Sequence, residues 1–261
     1  MAEYEFLRVE QSGGVLTLTL DRPKANAFHT PMIDEFLEAL KKAGAETSVR
    51  CLVLTGAGSV FSAGQDVGAF AEAAGRVSFR EHLSRTYNRV IVRMRELEKP
   101  IVGAINGAAA GAGLGIALAT DVRIAARRAR FFFGFTGIGL TADSGTSLTL
   151  PLLVGLARAS EIAFTNAAVS AEAALAYGLV NRVAEDGELA AAAADLAGEI
   201  ARGPTRALGL TKRAFNRAHL AGLDSVLQYE GLLQEIAGGT EDHREGVAAF
   251  LEKRPPIYQG K

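Results

Sequence analysis

The stretch from Val53 to Asp66, Val-Leu-Thr-Gly-Ala-Gly-Ser-Val-Phe-Ser-Ala-Gly-Gln-Asp, limits the possible folds of this chain more than any other. It passes from apolar residues suited to a buried strand into a loop with almost no side chains. A similar run returns at Ile101 to Gly115, Ile-Val-Gly-Ala-Ile-Asn-Gly-Ala-Ala-Ala-Gly-Ala-Gly-Leu-Gly. Strands that end in such loops leave backbone N–H groups open to a ligand, and paired N–H groups hold a developing oxyanion. Packing is the competing explanation, since glycine and alanine also let a helix lie close on a strand. A dinucleotide loop at Gly111-Ala-Gly-Leu-Gly115 fits poorly. Ile116 occupies the place of the last glycine in G-x-G-x-x-G, and the acidic residue expected about 20 positions on is missing.

Around these loops strand and helix patterns alternate. Residues 4–9 and 14–21 alternate apolar and polar side chains about Gly13-Gly14, which predicts a β-hairpin. Met32, Ile33, Phe36, Leu37 and Leu40 have helical spacing. Short buried strands are expected at Cys51–Leu54, Ile101–Ile105, Val122–Ala126 and Phe131–Phe133. One long helix is expected over 79–97 and a buried one over 112–119. Such alternation points to βαβ units and a largely parallel sheet. After about residue 145 the pattern is mostly helical, with helices expected over 188–201, 205–219, 223–237 and 241–252.

Composition narrows the function. A chain of 261 residues, 49% apolar, can bury a large core. No uncharged apolar run reaches the roughly 18 residues of a membrane span, and the acidic N-terminus lacks an apolar signal core. The net charge of −1 gives no electrostatic case for a nucleic-acid partner. Cys51 is the single cysteine, which fits a reducing compartment and a cytoplasmic protein. One cysteine and four scattered histidines offer no metal-ligand spacing.

Phe61-Ser-Ala-Gly-Gln-Asp66 and Ile105-Asn-Gly-Ala-Ala-Ala-Gly-Ala-Gly113 resemble the two signature loops of the crotonase superfamily, the enoyl-CoA hydratases and isomerases. Leu20-Asp-Arg-Pro-Lys-Ala-Asn-Ala27 resembles its first CoA-contacting loop, and Gly246 to Pro256 its C-terminal signature. The likeness covers nearly the whole chain in order. It implies an α/β, crotonase-like fold of repeated ββα units, with a core over 1–195 and a helical oligomerisation region over 196–261 that makes trimers or dimers of trimers. It also implies an acyl-CoA thioester as substrate and no cofactor beyond the coenzyme A the substrate carries.

The resemblance assigns residues too. The two oxyanion donors fall on the N–H groups of Gln65 and Ala112. Lys24, Ala25, Ala27, Ala63, Asp66 and Val67 match CoA-contacting positions, and Phe250 and Lys253 match residues that reach CoA from a neighbouring subunit. Asn88, Leu114, Gly115 and Phe135 match pocket positions. Many hydratases of the superfamily carry glutamates where this chain has Gly115 and Phe135, which puts ordinary hydration in doubt.

Asp143, in Gly139-Leu-Thr-Ala-Asp-Ser-Gly-Thr146, is the remaining carboxylate. Its local sequence suits an N-cap for a helix near Gly145 to Leu153. Some superfamily isomerases place their catalytic aspartate here, and apolar surroundings would make it a stronger base. One carboxylate can take a proton from one carbon and return it to another. The expected activity is therefore acyl-CoA isomerisation, with the greatest likeness to isomerases of the phenylacetate-degradation type. An enoyl-CoA hydratase and a non-catalytic scaffold or RNA-binding member are the alternatives. A dehalogenase is disfavoured: Asn88 and Phe135 replace its histidine and tryptophan, and the chain has no tryptophan.

Overall fold

The computed structural model describes residues 4–23, 25–68 and 78–261. Lys24, expected to meet coenzyme A, lies outside the described residues. Antiparallel β1 (Leu7–Ser12) and β2 (Val15–Leu20) form the expected hairpin. From β2 onward the larger sheet is parallel, running β1-β2-β3-β5-β7-β10. Its further strands are β3 (Cys51–Gly56), β5 (Ile101–Ile105), β7 (Val122–Ala126) and β10 (Arg182–Ala184). A smaller sheet runs β4-β6-β8-β9, from Val60–Ser62, Ala108–Ala110, Arg130–Phe132 and Val169–Ser170.

The expected ββα logic is visible in this pairing. β3 leads to β4, β5 to β6 and β7 to β8, and each pair gives one strand to each sheet. The loop after β4 and the turn after β6 consequently lie side by side. β5 is buried at every position, as a strand covered on both faces must be.

α1 (Thr30–Ala45) packs its Met32, Ile33, Phe36 and Leu40 into the main core. α4 (Ala112–Leu118) is buried throughout. The expected long helix over 79–97 is instead two, α2 (Phe79–Arg85) and α3 (Tyr87–Glu96). Thr86 breaks it with φ −118° and ψ −97°, while its hydroxyl donates to the His82 carbonyl at 2.6 Å. A hydroxyl bonding back to the preceding turn competes with helix geometry, and both halves keep helical periodicity, so the break leaves little trace in sequence.

The later helices are α5 (Thr146–Val154), α6 (Leu156–Thr165), α7 (Ala171–Tyr177), α8 (Leu189–Arg202), α9 (Thr205–His219), α10 (Leu223–Gly238) and α11 (Glu241–Glu252). The 195/196 division falls inside α8, whose Ala193, Ala197 and Ala201 cover one face of the larger sheet against Cys51, Val53 and Val102. α10 lies against α2, α3 and α5.

Candidate active site

The loop after β4 and the start of α4 meet at Gly64. Gly64 has φ +84°, a region open mainly to glycine. A Cβ there would stand 2.6 Å from the Ala110 carbonyl oxygen and 3.2 Å from the Ala112 nitrogen. The two small-residue loops are thus in contact, with the residue before Gln65 against the Ala112 amide. Phe28 bridges the Gln65 segment, with its N–H on the Gly64 carbonyl and its own carbonyl accepting from Asp66. No described residue accepts from the N–H of Gln65 or of Ala112. Ala112 is the first residue of α4, where intrahelical acceptors are lacking and the helix dipole favours negative charge.

The Gln65 side chain is held as well. Its Oε1 accepts from the Tyr87 hydroxyl at 2.7 Å and lies 3.0 Å from His82 Nε2. Burial keeps the His82 pKa below the ordinary histidine value, so the ring stays neutral. Burial also drives the Tyr87 phenol well above its usual range, and the charges of Asp143 and Asp66 add to this. Tyr87 thus holds the Gln65 side chain and feels the charge of Asp143.

Asp143 is 7% exposed. It does not cap a helix: the N-cap of α5 is Gly145, and the Asp143 carboxylate is engaged elsewhere. Its Oδ1 accepts from the Ser144 hydroxyl at 2.6 Å, and its Oδ2 accepts from Gln234 Nε2 at 3.0 Å. Burial, aided by the charge of Glu230 and opposed by the two hydrogen bonds, raises its pKa from 3.8 to about 7. Such a carboxyl is poised to hold or release a proton near neutrality.

The cap of α5 comes from Glu230, a residue the sequence did not single out. Its carboxylate accepts from the N–H of Gly145 at 2.9 Å, the N–H of Ser147 at 3.0 Å and the Ser147 hydroxyl at 2.5 Å. Glu230 is buried, and burial raises its own pKa. Gln234 was missed for the same reason: both look like solvent-facing positions of a polar helix. The signal was their phase. Leu223, Leu227, Glu230 and Gln234 fall on one buried stripe of α10, while Tyr229, Leu232 and Ile236 point outward.

The other expected site residues scatter in role. Gly115 lies beneath the turn of the base: a Cβ on it would stand 2.5 Å from Ser144 Cβ. The space a glutamate would need there is occupied. Phe135 is buried edge-to-face on Phe133, near Gly111. Leu114 is buried, and half-buried Asn88 donates to the Leu227 carbonyl at 3.4 Å. The Asp66 carboxylate pairs with Arg22 at 2.7 Å, and Arg22 also donates to the Ala27 carbonyl. That ties the 22–27 loop to the Gln65 loop. Ala25 has φ +53° and its carbonyl accepts from the exposed Ala63. Val67 is half-buried. Phe250 and Lys253 lie at the end of α11, away from these loops in sequence, with Phe250 59% exposed. Surface grooves of about 450 and 830 Å³ along α1 share no residue with this site. Among the described residues, no cluster of His, Cys, Asp or Glu could hold a metal, and no helix is long and apolar enough to cross a membrane.

The two small-residue loops abut with their Gln65 and Ala112 N–H groups open, and the buried Asp143 carboxyl has a pKa near neutrality. The chain belongs to the enoyl-CoA hydratase/isomerase family, whose model matches residues 10–261. It is similar to the 1,2-epoxyphenylacetyl-CoA isomerase of Escherichia coli K12, with 42% identity covering 98% of this chain and 99% of that one. It is 40% identical to a probable enoyl-CoA hydratase of Rhodobacter capsulatus, covering 99% of each chain. The solved enoyl-CoA hydratase from Mycobacterium avium subsp. paratuberculosis K-10 overlays it with a TM-score of 0.88 and 32% identity, covering 98% of this chain and 100% of that one. Isomerases and hydratases both stand among its relatives.

Proposed function

We propose that the chain is an acyl-CoA isomerase. It moves a proton through a thioester enolate, with Asp143 as the single acid/base and the N–H groups of Gln65 and Ala112 as the oxyanion hole. The carrying observation is the buried Asp143 carboxyl, raised to about 7 and, unlike buried Asp66 and Glu230, held neither by an ion pair nor by backbone N–H groups. Gly115 and Phe135 supply no second acid, and Glu230 is committed to the start of α5 by three hydrogen bonds.

In this mechanism the thioester oxygen sits between the two N–H groups. Asp143 takes a proton from the substrate: the C–H bond breaks, an O–H bond forms, and the electron pair passes into the enolate. Charge on the thioester oxygen is met by donors already aimed at it. The same carboxyl then returns the proton to another carbon, moving a double bond or allowing a ring to rearrange. The chemistry draws on no cofactor beyond the substrate's coenzyme A. Backbone at Ala25, Ala27, Ala63 and Val67 would line the CoA path, with Lys24 near the phosphates. Asp66 serves by fixing the loops through Arg22. A neighbouring copy would bring Phe250 and Lys253, in a cytoplasmic trimer or dimer of trimers.

A hydratase is the second reading, favoured by the Rhodobacter capsulatus relative. Incubation with a panel of acyl-CoAs in heavy water separates the two. An isomerase exchanges one carbon-bound proton and shifts a 3-enoyl-CoA, whereas fast crotonyl-CoA hydration without isomerisation would reject the one-carboxylate mechanism.

A further inference from the structure

Gln234 has two amide hydrogens and two acceptors for them. Nε2 donates to the Thr141 carbonyl at 2.9 Å and to Asp143 Oδ2 at 3.0 Å. Flipping the amide would set its oxygen against both acceptors, and Thr141 can only accept. Gln234 Oε1 has no partner among the described residues although the side chain is 1% exposed. A buried orphan acceptor is costly, so the donor orientation is being enforced.

The other carboxylate oxygen has a different neighbour. The Ser144 hydroxyl donates to Oδ1 at 2.6 Å, and a hydroxyl can turn to accept instead. It is held close by an unusual turn: Ser144 has φ +56° and Gly145 φ +71°. When Asp143 gains a proton, an O–H at Oδ2 would face a second donor, the Gln234 amide. An O–H at Oδ1 can donate to the Ser144 oxygen.

We propose that Gln234 is a positioning residue for the proton shuttle, reserving Asp143 Oδ2 as a permanent acceptor and leaving Oδ1, beside Ser144, as the oxygen that takes and returns the proton. The inference rests on the isomerase reading for its catalytic meaning. The geometry itself concerns only which oxygen of Asp143 can be protonated. The ionisable groups coupled to this carboxyl by charge are Glu230, on α10, and Tyr87, on α3. Tyr87 stays neutral at working pH because its phenol is raised, and Glu230 lies on the far side of the turn bonded to Gly145 and Ser147.

The test compares Gln234→Met with Ser144→Ala. The Gln234 bond favours the carboxylate, so its loss raises the Asp143 pKa. The acid limb of the pH–rate profile for proton exchange should move up by about one unit, with roughly tenfold loss below it and near-normal rate at high pH. Ser144→Ala removes a donor to the carboxylate as well as the acceptor for the Oδ1 proton, so its limb should also move up and, unlike Gln234→Met, its rate should stay several-fold low at high pH. KM for the acyl-CoA should change little in either. Gln234→Glu, of the same shape, should move the limb further in the same direction, because two carboxyls would share a proton. Carboxyl titration of the free enzyme by isotope-edited infrared reads the Asp143 pKa without turnover. A Gln234→Met or Gln234→Glu enzyme with an unmoved limb and an unmoved carboxyl titration overturns the proposal, as does a pH-independent loss in Gln234→Met. If instead Asp143→Asn isomerises normally, Asp143 is not the proton shuttle and the one-carboxylate reading fails, while the titration still decides whether Gln234 sets the Asp143 carboxyl.

Discussion

The Tyr87 hydroxyl donates to Gln65 Oε1, so the residue that bears one open N–H is anchored by a buried phenol that feels the charge of Asp143. The two halves of the proposed chemistry are therefore mechanically linked. Gln65→Ala should leave the buried Tyr87 phenol without this acceptor. An unsatisfied buried hydroxyl costs about 1–3 kcal/mol. Thermal unfolding should show that loss, while turnover falls only a few-fold because the backbone donor survives.

Ala112→Pro should behave in the opposite way. Proline is tolerated at the first position of a helix but has no N–H. Turnover should drop on the order of 100-fold or more with the fold retained by circular dichroism. A folded variant with wild-type turnover would remove Ala112 from the oxyanion hole.

Asp143→Asn should abolish exchange of the substrate proton with solvent, with a loss of roughly 1000-fold or more, and leave CoA-ester binding nearly intact. It should also change the dependence of stability on pH. The folded carboxyl holds its proton up to about 7, whereas its ordinary value is 3.8. The contribution is full below pH 4 and is lost as pH rises towards 7, by on the order of 4 kcal/mol. Denaturant titrations of the Asn variant should show a shallower decline over that window.

Glu230→Gln removes a negative charge that raises the Asp143 pKa and weakens the anchor of α5. The acid limb of the rate profile should move to lower pH, opposite in sign to the change expected for Gln234→Met. Stability should fall by about 1–3 kcal/mol, because N–H donors lose a charged acceptor. Identical shifts in the two variants would show that neither acts through the Asp143 carboxyl.

Gly64→Ala places a Cβ 2.6 Å from a carbonyl oxygen at φ +84°. The strained backbone alone costs about 1–3 kcal/mol, and the loops must part to relieve the contact. Activity should be lost even at temperatures where calorimetry shows the protein folded.

Much of this was readable beforehand. The strand-to-loop transitions at Val53–Asp66 and Ile101–Gly115 carried the main sheet and the paired loops, because buried strands and side-chain-poor turns leave strong local signals. The kink at Thr86 was not readable, since one hydroxyl bonding to His82 decides it while the apolar spacing continues on both sides. Glu230 and Gln234 were hidden by the opposite effect. On α10 Glu230 and Gln234 turn inward beside Leu223 and Leu227 while Tyr229 and Ile236 turn outward, so a rule that places apolar residues inside misplaces Glu230, Gln234, Tyr229 and Ile236. Asp143 was singled out through the family resemblance, while its local sequence also suggested a helix cap. Only the partners of its two oxygens separate the roles.

The hydrogen bond from Gln234 to Asp143 spans 91 residues, and α10 is the next-to-last helix of the chain. A polypeptide leaving the ribosome can thus pair both sheets and bring its two N–H loops together while Asp143 still lacks the amide and the carboxylate that seat its turn. The expectation is an order of assembly in which the paired loops close first and the turn of Asp143 is seated last. A nascent chain stalled before residue 230 is a natural check: it should carry the sheets and the Gly64 contact yet exchange no substrate protons.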